Sequence, residues 1–197
     1  MKKNLRWLIA GFLALALTSC GVFFAPLEGR WNPLDPNFGD GYTEKNLYPT
    51  VDGHVMPPSM SSFFLTYMEV MSSQRALMKF NTGDIPKDIP HAELRLCLNS
   101  INQPFYYCQV RMVFQDWDAA TTEWSFLASP LSPIVSPPVY LSTNGFYSWD
   151  VTALLRSVNP SSMKGLLVEP VSGAATSAQF LTTENGINKP HLVIWTK

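Results

Sequence analysis

The sequence predicts an all-β fold, a β-sandwich with one short helix, preceded by a signal peptide and an irregular tether. Three observations predict it. From about Tyr48 onward, short runs of alternating or β-branched and aromatic residues recur along the chain, the pattern of strands with one face buried. Gly, Pro, Asn and Ser separate those runs, as turns between strands require. Only the stretch Asp150–Arg156 reads as a helix.

The chain opens with Lys2, Lys3 and Arg6, followed by an apolar run from Trp7 to Leu17 that stops at Leu17-Thr18-Ser19-Cys20-Gly21. A charged start, a short apolar run and small residues before a cleavage point describe an export signal, and the run is too short to span a bilayer of ~30 Å. The cysteine resembles the lipobox of bacterial lipoproteins. That resemblance implies removal of residues 1–19, acylation of the new N-terminus at Cys20, palmitate among the chains, and a membrane contact made through lipid alone. Several acyl chains at ~0.8 kcal/mol per buried CH₂ hold durably. Gly21 stands where an Asp would resemble an inner-membrane retention signal, so the outer membrane is the expected location, its periplasmic or surface face left open. Losing three of fourteen basic residues with the signal takes the net charge from −1 to −4. That balance offers no basic footprint for nucleic acid.

Residues 20–48 comprise the lipid-bearing cysteine and the tether, in which Pro26, Pro33 and Pro36 break any helix and neither the 3.6 nor the 2.0 period is kept. Asp35-Pro36-Asn37-Phe38-Gly39-Asp40-Gly41 approaches a calcium loop but puts Gly39 where an oxygen ligand belongs. It reads as a turn.

Residues 49–197 form the domain. Its strand-like runs are Ser62–Tyr67, Ala76–Phe80, Ala92–Leu98, Tyr106–Phe114, Gly165–Val168, Ala178–Thr182 and His191–Trp195. Within Ser129–Pro138, Pro130, Pro133, Pro137 and Pro138 exclude a central strand and leave a surface loop or an edge. Asp150 or Thr152 can cap the helix, which Asn159-Pro160 ends. Cys97 and Cys108 flank a turn-rich segment, and an even pair in an exported chain suggests a disulfide. Parity argues otherwise, because Leu94, Leu96 and Leu98 put Cys97 on the opposite face, whereas Cys108 shares the parity of Val110 and Met112. A bridge between the two and a pair of separate thiols both stay open.

The order of motifs brings a family into view. Arg75–Phe80 is followed by Ile85-Pro86 and Ile89-Pro90, then by Ala92–Leu96, Trp117, Thr122-Glu123-Trp124, Tyr147–Thr152, Gly165–Val168, and Phe180 with Glu184 before Pro190–Ile194. In that order they resemble the DNRLRE-domain family, jelly-roll modules related to carbohydrate-binding modules, over roughly residues 49–197. The resemblance implies a jelly roll, suggests a carbohydrate ligand, and by analogy admits a structural calcium with Asp52 as the nearest ligand. The chain carries no catalytic partner domain.

A glycan surface needs exposed rings against apolar sugar faces, beside polar groups that bond hydroxyls. The best local constellation is Tyr106-Tyr107-Cys108-Gln109-Val110-Arg111, where Tyr107, Gln109 and Arg111 line the outward face of one strand if Val110 and Met112 face the core. Arg111 suits an acidic sugar. Tyr140 and Tyr147 offer a loop-end cleft as the other choice. Trp117, Trp124 and Trp149 read as core packing, Trp195 as facing solvent or a second sheet, and Arg75 as a partner for Asp150 or Glu184. Catalysis finds little support, since His54, His91 and His191 share no metal spacing and Asp116, Asp118 and Glu123 cluster in a turn. The expected role is therefore non-catalytic: binding polysaccharide or envelope glycan, or contacting a surface protein as an assembly component.

Overall fold

The computed structural model describes residues 41–57, 60–103, 106–119, 122, 131–171 and 176–197. The signal, Cys20, most of the tether, Glu123 and Trp124 lie outside them. Strands β1 (Thr43–Leu47), β13 (His191–Thr196), β6 (His91–Ile101), β12 (Ala178–Leu181) and β4 (Tyr67–Val70) follow one another in the first sheet, with β10 (Gly145–Asp150) also on β6. The second sheet runs β3 (Met60–Phe63), β2 (Val51–Met56), β5 (Arg75–Lys79), β11 (Gly165–Pro170), β7 (Tyr106–Val113) and β8 (Leu131–Val135), with β9 (Val139–Leu141) also on β7. From β4 to β7 and again from β10 to β12, successive strands alternate between the sheets, and the paired strands are antiparallel throughout. The result is a sandwich of the jelly-roll kind.

Alternation decides which side chains fill it. Leu94, Leu96 and Leu98 on β6 meet Met78, Val110, Met112, Leu166 and Val168 from the other sheet, all of them buried. Each such side chain contributes roughly 1.5–3 kcal/mol on leaving water. Trp149 is fully enclosed, stacks edge-on against Phe180 at 5.9 Å, and donates its indole N–H across the sandwich to the carbonyl of Cys108 at 2.8 Å. The helix α1 (Thr152–Arg156) buries Leu154 and Leu155. Neither Asp150 nor Thr152 caps this helix as expected: the N-cap position is Val151, without a side-chain cap bond, and Asp150 accepts the Thr152 N–H at 2.9 Å from the residue before it.

Several expectations are revised. The tether ends before residue 48, because Thr43–Leu47 forms an edge strand on β13 with Leu47 in the core. The proline-rich stretch, in contrast, keeps to its expected edge and supplies β8 there in the second sheet, as its missing N–H groups dictate. Cys97 and Cys108 are free, buried thiols rather than a disulfide. Cys97 sits opposite Phe146 on the outer face of the first sheet, and Cys108 points into the core from the second, so the ~10 Å between packed sheets lies between them. Burial raises both thiols above their ordinary pKa, Cys108 far above it.

One edge of the sandwich is closed by polar bonds between sheets. Asp52 on β2 is buried beside the 3-10 turn Thr183–Asn185, and its two oxygens accept the N–H and the hydroxyl of Thr183 at 3.0 and 2.8 Å. Nearby, His54 accepts the Glu69 N–H of β4 at 3.3 Å, and the Thr182 hydroxyl donates to the carbonyl of Leu65. Burial lifts the Asp52 pKa and neighbouring Glu184 adds to it against the two bonds from Thr183, leaving it at about 6. Burial lowers the pKa of His54.

Two expectations are testable. Unfolding without reductant should expose two titratable thiols at Cys97 and Cys108, and added reductant should leave the melting temperature where it was; a thiol-free unfolded chain would restore the bridge. The second concerns Asp52. A carboxyl with a folded pKa of about 6 against 3.8 in the unfolded chain holds its proton longer when folded, so its contribution to stability falls as pH rises from about 4 to 6. Relative to the wild type, Asp52→Asn should therefore gain up to ~3 kcal/mol between pH 4 and pH 7 in denaturant melts. A pH-independent difference between the two proteins would refute the assignment.

Candidate functional site

Parity on β7 sends Tyr106, Cys108, Val110 and Met112 inward and Tyr107, Gln109 and Arg111 outward. Three of the four residues proposed from sequence thus share one open face. Tyr106 does not belong with them: it is 1% exposed, with its hydroxyl 3.5 Å from the carbonyl of Val70 and its pKa raised by burial. Tyr107 is 49% exposed and meets the ring of Tyr140, its register partner on β9, at 5.0 Å.

The neighbouring strand completes the surface. Glu169 on β11 pairs in register with Gln109 and accepts from Gln109 Nε2 at 2.8 Å and from Arg111 Nε at 2.5 Å. Arg75 on β5 approaches its other oxygen at 3.9 Å, and Arg111 also donates to the carbonyl of Ser132 on β8 at 3.1 Å. Arg75 therefore pairs with Glu169, not with Asp150 or Glu184, and donates besides to the carbonyls of Met71, Ser72 and Gln74. The arrangement is a band of two guanidiniums, a carboxylate and an amide running across three strands, with two tyrosine rings at one end. Two cations against one anion leave it positive. Each guanidinium is held in place by the carboxylate, so little side-chain freedom remains to be lost on binding.

The rest of this outer face is apolar and covered. Val55, Phe63, Leu77, Val113 and Leu167 form a second cluster under Trp117, which stacks on Phe63 at 5.6 Å and donates to the carbonyl of Lys164 at 2.9 Å. Trp117 packs as expected, but onto the outside of a sheet rather than the end of the core. Gly165 makes room for it, since a Cβ there would lie 2.9 Å from the indole nitrogen and 2.7 Å from the Met78 carbonyl. Lys79 bonds Asp116 at 2.8 Å and the Trp117 carbonyl at 2.6 Å. Asp116 also accepts the Trp117 N–H at 3.0 Å and the Asp118 main-chain carbonyl accepts from Thr122, so the Asp116 carboxylate serves the turn that carries Trp117.

Other residues singled out in the sequence fall elsewhere. Tyr147 points inward on β10, its hydroxyl bonded to the main chain of Ser142 and Thr143. Trp195 lies on the outer face of the first sheet, its ring 4.9 Å from that of His91 and 5.5 Å from the Arg95 guanidinium. Glu93 beside them is buried, which alone would raise its pKa, but bonds from His91 and Arg95 hold it below its ordinary value. Asp52, the candidate calcium ligand, has both oxygens engaged by Thr183. Among the described residues no three His, Cys, Asp or Glu side chains converge as metal ligands, and no helix is long and apolar enough to cross a membrane.

Glu169 and Tyr140 are what the sequence reading missed on this face. The alternation in Leu166-Leu167-Val168-Glu169 marks Glu169 as outward, yet only the pairing of β11 with β7 places it under Arg111. Comparison with known families finds a match to the model of carbohydrate-binding module family 96 over residues 64–196. No curated protein matches the chain.

Proposed function

Since the chain belongs to carbohydrate-binding module family 96, we propose that its platform of Tyr107, Tyr140, Gln109, Arg111, Glu169 and Arg75 is the surface that binds polysaccharide. The observation that carries this reading is the Arg75–Glu169–Arg111 band beside two tyrosine rings tilted against each other on an open sheet face. Tyrosine rings offer apolar faces to sugar C–H groups, and the amide and guanidiniums offer donors to hydroxyls. The net positive charge favours a glycan that carries carboxylates. The binding is non-catalytic, a matter of holding the polymer.

The same reading takes the chain to be a lipoprotein, acylated at Cys20 and held at the outer membrane. The lipobox-like sequence supports it, and the segment before β1 gives the domain reach. A chain of 22 residues from Gly21 to Tyr42 extends at most roughly 75 Å. A module on such a leash samples glycan around its anchor.

Two tests bear on these claims. Tyr107→Ala and Arg111→Ala should each lower affinity for the bound polysaccharide about tenfold or more in affinity gels, a loss of ~1.4 kcal/mol or more. The melting temperature of Tyr107→Ala should stay close to that of the wild type, because an exposed position rarely costs more than about 0.5 kcal/mol, whereas Arg111→Ala also leaves Glu169 without its closest partner and should lower it. Unchanged retardation of both variants would remove the platform, and capture of a protein partner with no glycan bound would favour the assembly role. Cys20→Ala should leave the domain folded while abolishing incorporation of labelled palmitate and membrane fractionation. Lipid labelling that survives the substitution would disprove the anchor.

A further inference from the structure

The outer face of the first sheet, on the other side of the sandwich, carries a groove of about 700 Å³. Its walls are Tyr48 and Phe146, 56% and 46% exposed, and between them stands His191, whose ring lies 6.0 Å from each. Thr183, Asn188 and Lys189 line the rim. Phe146 comes from β10, His191 from β13 and Tyr48 from the residue after β1, so strands of one sheet and a strand end converge on it.

Several features fix its shape and its chemistry. Gly186 and Asn188 adopt left-handed backbone at φ 83° and 51°, which folds the loop between β12 and β13 tightly against the groove. The main-chain carbonyl of Lys189 lies 2.9 Å from His191 Nδ1 and can only accept, so Nδ1 donates to it and Nε2 is the ring nitrogen left for a ligand hydroxyl. Two exposed rings that hold an imidazole between them, rimmed by a hydroxyl, an amide and an ammonium, match a ligand with apolar faces and a hydroxylated edge. A lipid chain or a protein helix would call for a continuous apolar lining. A pyranose ring does not.

We infer that this groove is a second glycan-binding subsite, taking one or two pyranose residues with their faces against Tyr48 and Phe146 and a hydroxyl on His191. The inference rests on the carbohydrate-binding reading of the chain. With the two subsites on opposite faces, one domain grips two polysaccharide strands and joins them.

The test uses the intact protein in affinity gels containing polygalacturonate, hyaluronan, galactomannan or laminarin, and turbidity of the same polymers in solution. For a polymer that retards the wild type, Phe146→Ala, Tyr48→Ala and Lys189→Ala should each weaken retardation several-fold with the melting temperature preserved. Tyr107→Ala should weaken it independently, and the wild type should make the polymer turbid where each single-site variant does not. Full retardation and full turbidity with Phe146→Ala and Lys189→Ala would overturn the groove while leaving the platform standing. Binding lost with Phe146→Ala but untouched by Tyr107→Ala would do the reverse, and retardation by none of the four polymers would count against both.

Discussion

The bond from the Trp149 indole to the Cys108 carbonyl holds the two sheets in one alignment. A buried indole N–H has to find an acceptor, and this one finds it on the opposite sheet. Trp149 reaches across from β10 while its ring fills the space beside Phe180. Because the acceptor belongs to β7, the bond ties the central layer of the core to the strand that carries Tyr107, Gln109 and Arg111. A slip of β7 by one residue would bring Tyr106, Val110 and Met112 out to solvent and send Arg111 into the core. The depth of the Trp149 pocket and the parity of the platform are one constraint.

That constraint also explains what could be read from the sequence and what could not. Leu94, Leu96 and Leu98 alternate so plainly that the inward face of β6 and the outward place of Cys97 followed from counting by two. The same counting from Val110 and Met112 put Tyr107, Gln109 and Arg111 outside, and it would have sent Tyr106 inside had it been applied to that residue. Short-range pattern ends there. Glu169 lies 58 residues beyond Arg111 in the chain, and the partner of Arg75 was sought among acids at the sandwich end because no local signal names a cross-strand neighbour. Tyr140 and Tyr147 are close in sequence but sit on different strands, one on β9 beside Tyr107 and the other turned inward on β10. Strand β1 was absorbed into the tether because four of its five residues are exposed and no apolar alternation marks them.

The second sheet is used on both faces, and the two uses divide its outer surface. At one side Trp117 seals Val55, Leu77, Val113 and Leu167 from water, which makes the strands stiff where they pass beneath it. On the other side the same strands, β5, β11 and β7, present Arg75, Glu169 and Gln109. Polar side chains held on strands locked by packing keep their spacing when a ligand arrives, which is how an open surface achieves preorganisation without a pocket.

The place of β13 sets the order in which the molecule can assemble. It lies between β1 and β6, so the first described strand stays without a neighbour until the last has been made. Strand β6 likewise finds its partners only downstream, in β10, β12 and β13. Pairings of such long sequence separation are slow to form, and a ribosome-bound fragment lacking its final residues holds no complete first sheet. Once its last residues are made, β13 enters between β1 and β6 and the first sheet closes.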